Sequence, residues 1–92
     1  SARIKVTYDT GDLADIRRWL EQETPVIVFI QAGALPAWAG HQFQHAVVVV
    51  GLEGQTLYLL DPALDSGPTA VDEAAFMLAW SWLDYTYATL TR

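Results

Sequence analysis

Residues 44–62 of this chain read QHAVVVVGLEGQTLYLLDP, two apolar runs on either side of a polar turn. Two runs rich in β-branched and large apolar residues, separated by a short segment with glycine, predict a β-hairpin. If the strands fold back about Glu53 and Gly54, the numbers of paired residues sum to about 106 or 107. His45 then lies opposite Asp61 or one residue away, and opposed Cβ atoms are roughly 5 Å apart. The hairpin therefore predicts a hydrogen bond between an imidazole and a carboxylate.

The size and composition of the chain predict one small domain with surplus apolar surface. A chain of 92 residues builds a single modest core, so we expect residues 1–92 to form one domain. Hydrophobic residues make up 52% of the sequence, which is high for a soluble domain of this size. We therefore expect part of the apolar surface to face another subunit or another segment.

Charge and cysteine content exclude several classes of partner and site. The formal net charge is −6 with five basic residues, so neither nucleic acid nor an anionic membrane is an expected partner. No apolar run reaches the roughly 18 residues of a transmembrane segment, and the N-terminus does not have the pattern of a signal peptide. The sequence has no cysteine, which excludes disulfides, thiolate metal sites and a thiol nucleophile within this chain.

The first half of the chain predicts a strand, a helix and a buried strand. Residues 3–8 alternate polar and apolar side chains, as a half-buried strand does. Asp12 is a suitable helix N-cap, and Asp15 adds a favourable acid in the first turn. The helix should end near Glu23, because the residue before a proline is pushed out of the α region. Residues 25–31 are almost wholly apolar and predict a strand buried on both faces in the middle of a sheet.

The second half predicts the hairpin, a second helix and a final strand. Thr69 is the expected cap of the second helix, with Asp72 at its third position. Residues 84–91 alternate as a strand does. The predicted order is β-α-β-β-β-α-β, an α+β fold with a mostly antiparallel sheet of about five strands and two packed helices. The apolar residues of the second helix fall on one stripe: Phe76, Ala79, Trp80 and Leu83.

His45 and Asp61 have the residue types of acid-assisted base catalysis. The acid fixes the tautomer of the imidazole and stabilises the imidazolium, while the other ring nitrogen takes a proton from a nucleophile. The alternative is a structural polar pair at the end of a sheet, in which Asp61 also caps the turn that Pro62 begins.

The two histidines as a pair, and the serines, do not predict a further site. His41 and His45 are four residues apart, a spacing that would present two imidazoles to a metal on a helix. Gly40 and the apolar run predict a loop followed by a strand, where the two residues lie roughly 13 Å apart. We therefore expect no metal and no cofactor. No serine has the Gly-x-Ser-x-Gly context of an activated nucleophile.

Four segments resemble a known family: residues 25–28, PVIV; 45–51, HAVVVVG; 57–62, LYLLDP; and 72–76, DEAAF, with Trp80 after them. They are similar to the C-terminal half of the bacteriocin-processing, double-glycine-leader cysteine peptidases, bacterial relatives of papain. The resemblance runs from about Leu13 to the C-terminus. It implies that His45 is the general base and Asp61 its orienting partner in a Cys-His-Asp arrangement that cleaves a peptide or protein substrate through a thioester.

The chain departs from this family in one large respect. The nucleophilic cysteine, and a glutamine before it that completes the oxyanion hole, belong to an N-terminal helical half that this sequence does not contain. One hypothesis is a C-terminal subdomain of a cysteine peptidase, inactive alone, whose partner is the missing Cys-bearing N-terminal half. The other is a non-catalytic, peptidase-like module that holds a partner chain, a peptide or a second copy of itself through an apolar face.

Overall fold

The structure, a computed structural model, describes residues 4–31, 44–61 and 67–91. In chain order the elements are strand β1 (Lys5–Thr10), helix α1 (Leu13–Glu21), strands β2 (Val26–Gln31), β3 (Gln44–Glu53), β4 (Thr56–Leu60) and β5 (Thr69–Asp72), helix α2 (Glu73–Ser81) and strand β6 (Thr86–Thr91).

The strands form one sheet in the order β1-β6-β2-β3-β4-β5, and every neighbouring pair is antiparallel. The predicted α+β class with two helices and an antiparallel sheet is therefore confirmed. The described part of the chain has six strands, so the expectation of about five is wrong. As expected, β2 lies inside the sheet, between β6 and β3.

The additional strand is β5, where a helix cap was expected. Thr69 pairs with Leu59, and Val71 pairs with Leu57 and is buried, so this short segment closes the edge of the sheet instead of starting a helix. The helix begins four residues later than Thr69, after Asp72, whose carboxylate accepts a hydrogen bond from the backbone N–H of Ala74. Pairing with β4 provides hydrogen-bond partners for the backbone N–H and C=O groups of β5, whereas a helix cap at Thr69 would satisfy only one N–H group.

The two faces of the sheet differ in what covers them. On one face, called here the helix face, the buried side chains of β2 to β5 pack in one core against α1 and α2. The helices contribute Ile16, Phe76, Ala79 and Trp80, all fully buried. Strands β2 to β5 contribute Val26, Val28, Ile30, Val47, Val49, Leu57, Leu59 and Val71, and β6 contributes Tyr87.

The opposite side, called here the open face, is also apolar but is not covered by a helix in the described residues. Paired residues on this face include Val6 with Leu90 and Ile27 with Val48. Tyr8 stacks on Phe29 with their ring centroids 6.3 Å apart, yet 68% of Tyr8 is exposed.

Helix α1 begins as the sequence predicts. The Asp12 carboxylate accepts the N–H of Asp15, and the Asp15 carboxylate accepts the N–H of Asp12, which makes a reciprocal capping box. The last helical residue is Glu21, two residues before the predicted end, and Glu23 has a left-handed backbone with φ 58°. Pro25 therefore acts on the segment after the helix and not on its last turn.

The turn that joins α2 to β6 is held by several hydrogen bonds. Trp80 is fully buried, its indole Nε1–H donates to the carbonyl of Thr86 at 2.9 Å, and its ring meets the ring of Tyr85 edge-on. Asp84 and Tyr85 both have positive φ, 55° and 56°. These contacts hold two successive residues in a conformation that costs L-amino acids roughly 1–2 kcal/mol each.

Candidate functional site

His45 is the second residue of β3, at the end of the sheet farthest from the hairpin turn. It pairs directly with Ile30 of β2, and Val47, two residues on, pairs with Val28. Since alternate residues of a strand share a face, His45 lies on the helix face in line with the buried valines. Its side chain is 21% exposed, so the imidazole lies at the boundary between the core and solvent.

Asp61 is the first residue after β4 and also lies on the helix face. It continues the alternation of Leu57 and Leu59, whose side chains are fully buried. The Asp61 side chain is 5% exposed. A carboxylate in such a position needs a hydrogen-bond partner, because burial of an unpaired charge is costly.

The two side chains are in direct contact. Nε2 of His45 and Oδ2 of Asp61 are 2.6 Å apart, which is short even for a hydrogen bond that involves a charged group. If the ring is neutral and Nε2–H donates to Asp61, the lone pair of the imidazole is on Nδ1. In that tautomer the ring proton is on the nitrogen that faces Asp61.

The residues meet in a register that the sequence did not predict. The turn is Gly54-Gln55, with Glu53 paired to Thr56, so paired residue numbers near the turn sum to 109 and not to 106 or 107. Gly54 has φ 60° at the first central position of this turn, where a type II′ hairpin requires glycine.

Beyond the turn the register changes by one residue, so the pair meets diagonally. Val48 pairs with Leu60, so the next position along the hairpin places Asp61 opposite Val47. Val47 is two residues from His45 and lies on the same face. Diagonal neighbours are about 7–8 Å apart, a distance that the two side chains can span. The predicted contact is present, but the predicted direct opposition of the two residues is wrong.

Two features around the pair were missed by the sequence analysis. Ile30 is fully buried directly across from His45, so an apolar side chain lies beside the imidazole on its β2 side. The second feature is an irregularity in β3 between Val49 and Gly51. The sequence contains a signal for this irregularity. With a two-residue turn, odd-numbered residues of β4 lie on the same face as even-numbered residues of β3. His45 and Asp61 both have odd numbers, so they can share a face only if β3 has an irregularity between them and the turn.

The structure tests the other candidates only in part. His41 lies outside the described residues. Among the residues that the structure describes, no group of three or more His, Cys, Asp or Glu side chains could hold a metal ion. Within the same part of the chain, neither helix has the length and apolar composition needed to span a membrane.

The comparisons with known proteins agree with the fold. The crystal structure of a C39-like peptidase from Bacillus anthracis is similar to this chain, with a TM-score of 0.77 and 20% sequence identity. The similarity covers 96% of this chain and 52% of that protein, so the chain spans about half of its length. No curated protein matches the sequence. The model of the Peptidase C39-like family matches residues 3–89, nearly the whole sequence. The chain therefore belongs to the Peptidase C39-like family.

Proposed function

We propose that this chain supplies the general base, His45, and the orienting carboxylate, Asp61, of a cysteine-peptidase-like site. The observation that supports this proposal is the 2.6 Å contact between Nε2 and Oδ2 at the end of the sheet. Since the chain has no cysteine and spans about half of a related protein, the nucleophile would come from another segment. Residues 1–92 would then be the C-terminal subdomain of a larger papain-like fold.

In the proposed reaction each ring nitrogen of His45 has a separate task. Nε2 is bonded to Asp61, so proton transfer would use Nδ1. Through Nδ1, His45 would take the proton of a cysteine thiol as the thiolate attacks a peptide carbonyl, and then return it to the leaving amine as a thioester forms. In the second half of the reaction, His45 would take a proton from water as the water hydrolyses the thioester. Asp61 would hold the ring and stabilise the imidazolium throughout.

The proposal has a direct test in the polypeptide of the native source. Its intact mass shows whether a longer chain precedes or follows these residues, and its sequence shows whether that chain has a cysteine. The cysteine should then react quickly with iodoacetamide at neutral pH, because a paired imidazole favours the thiolate. His45→Ala should slow both this reaction and peptide hydrolysis, the latter by about 10²-fold or more.

A matched control lies on the same strand. Glu53→Gln changes an exposed residue at the other end of β3 and should leave both rates unchanged. The proposal is wrong if the native polypeptide has no cysteine, or if His45→Ala reacts and hydrolyses like the unchanged protein. The 92-residue chain alone should not hydrolyse peptides, because a base without a nucleophile contributes little.

A second function is favoured by the open face. Val6, Tyr8 and Leu90 are 46%, 68% and 47% exposed on a face that no described helix covers. Exposed apolar patches of this kind mark sites of protein association. A peptidase-like module without catalysis would hold a partner chain, a peptide or a second copy there. A native chain that begins near Ser1 and forms stable dimers would favour this function over the first.

A further inference from the structure

The β3–β4 hairpin has two registers, and the change between them lies at Val50. Near the turn, Leu52 pairs with Leu57 and Gly51 pairs with Tyr58. Farther from the turn, Val49 pairs with Leu59 and Val48 with Leu60, so β3 has one more residue than β4 at this point. Val50 is the extra residue of a β-bulge, which leaves one residue unpaired and bends the strand locally.

The bulge decides which face His45 occupies. Paired residues lie on the same face of a sheet, and the odd-numbered Leu57, Leu59 and Asp61 of the β4 segment face the helices. If β3 kept all its residues but had no bulge, the register of the turn would pair Val50 with Leu59 and would turn the even residues of β3 towards the helices. His45 would then lie on the open face, on the opposite side of the sheet from Asp61.

The other neighbour of β3 requires the same change. In β2, Val26 and Val28 are fully buried, and they pair with Val49 and Val47. On the helix face, β3 must therefore have its odd residues where it pairs with β2 and with the far half of β4. Near the turn, where Leu52 pairs with Leu57, it must have its even residues on that face. One extra residue in β3 satisfies both neighbours.

The residues at the bulge fit this role. Val50 is 42% exposed although it stands in the middle of an otherwise well-paired strand. Gly51, the next residue, is close to Tyr58, and a Cβ on Gly51 would lie 3.3 Å from the ring of Tyr58. Glycine permits this close approach of backbone to ring where the strand changes direction.

We propose that the bulge absorbs Val50, the one residue by which β3 exceeds β4, and so keeps residues 44–49 in the register in which His45 lies on the face of the sheet that carries Asp61. The catalytic meaning of this placement rests on the proposed function. The placement itself is a property of the hairpin and can be measured on the 92-residue chain without any nucleophile.

The test compares a one-residue deletion with a one-residue insertion in the valine run. Deletion of Val50 removes the bulge and leaves all other pairs intact, so His45 should remain on Asp61. Insertion of a fifth valine after Val50 shifts residues 44–50 by one position, so His45 should turn to the open face and lose Asp61. Both variants change the chain by one apolar residue.

The readout is the imidazole itself, observed by NMR. In the unchanged chain and in the deletion variant, we expect a downfield Nε2–H signal and nuclear Overhauser contacts between the His45 ring and side chains of the helix face. In the insertion variant, both should be lost, with ring nitrogen shifts that approach those of Asp61→Asn. Circular dichroism and amide dispersion show whether each variant is folded.

Two outcomes would overturn the proposal. Loss of the His45 contact in a folded deletion variant would mean that Val50 is not the residue absorbed by the bulge, and this result is decisive even if the insertion variant does not fold. Retention of the contact in a folded insertion variant would mean that the hairpin does not control the face of His45. Neither outcome depends on peptide hydrolysis, so this proposal and the proposed function can fail separately.

Discussion

The helix face and the open face of the sheet are both apolar, but they differ in what their side chains contact. Val28 and Val47 on the helix face are fully buried under the two helices, whereas Tyr8 on the open face is 68% exposed. The hydrophobic residues of this chain are therefore divided between two faces: one forms the core, and the other is not covered by any helix in the described residues. His45 and Asp61 lie at the end of the first face, where the core meets solvent.

The largest effect should come from removal of a core aromatic residue. Trp80→Ala deletes a fully buried ring that packs on Phe76 and bonds the carbonyl of Thr86. We expect a loss of about 3–5 kcal/mol in the free energy of unfolding, measured by urea denaturation. Trp82→Ala is the matched control, because Trp82 is 68% exposed and its loss should cost about 0.5 kcal/mol or less. Equal costs for the two tryptophans would contradict the burial of Trp80.

The next effect compares two neighbours on opposite faces. Val47→Thr places a hydroxyl in the core at nearly constant volume, and we expect it to cost about 1–3 kcal/mol of unfolding free energy. Val48→Thr makes the same change on the open face, where the side chain is half-buried, and should cost clearly less. Threonine keeps a high strand propensity at both positions, so thermal or urea unfolding reports the face alone. A larger loss for Val48→Thr would reverse the assignment of the two faces.

A smaller effect is expected at the end of the helix face. Asp61→Asn replaces a charge-assisted hydrogen bond with a neutral one, which should cost about 1 kcal/mol of stability. The ring nitrogen shifts of His45 should change in the NMR spectrum, because the contact at 2.6 Å loses its charged acceptor. Asp72→Asn is a suitable control, since this carboxylate caps α2 and should leave the His45 signals unchanged. Identical His45 spectra in all three proteins would show that the pair does not interact in solution.

The smallest effect on stability should come from the open face. Val6→Thr combined with Leu90→Thr changes a cross-strand pair that is 46% and 47% exposed, and the free energy of unfolding should change by about 0.5 kcal/mol or less. If the open face is a contact surface, light scattering should show less self-association than for the unchanged chain at high concentration. Thr7→Ala on the other face of β1 is the control. A chain that remains monomeric in every form would count against a contact between copies through this face.

Local signals in the sequence predicted the elements better than their pairing. Asp12 was predicted as the N-cap of α1 because this signal is local: its partner Asp15 is three residues away, and the reciprocal bond that completes the capping box needs no tertiary information. Strand β5 was missed because only Val71 of its four residues is buried, and Thr69 is a good helix cap in isolation. These residues form a strand because they pair with β4, and a local sequence pattern carries no information about that pairing.

The hairpin register was the least predictable feature. A run of four valines has no alternation, so it can pair in several registers at similar cost, and the choice is made by the turn and by the neighbouring strands. The contact between His45 and Asp61 was nevertheless predicted correctly, because a diagonal pair is still within reach of an imidazole and a carboxylate. The bulge could have been inferred only by combining the turn, the odd numbering of both residues and the pairing with β2.

The position of β6 has a consequence for the order in which the sheet can form. This strand is the last along the chain, yet it lies between β1 and β2, so within the described residues β1 joins the sheet through β6. During synthesis, β2, β3 and β4 can pair as soon as they emerge, whereas β1 has no neighbour until the end of these residues is complete. Folding of this sheet should therefore finish when β1 pairs with β6, the step with the largest loop-closure entropy among the described strand pairs.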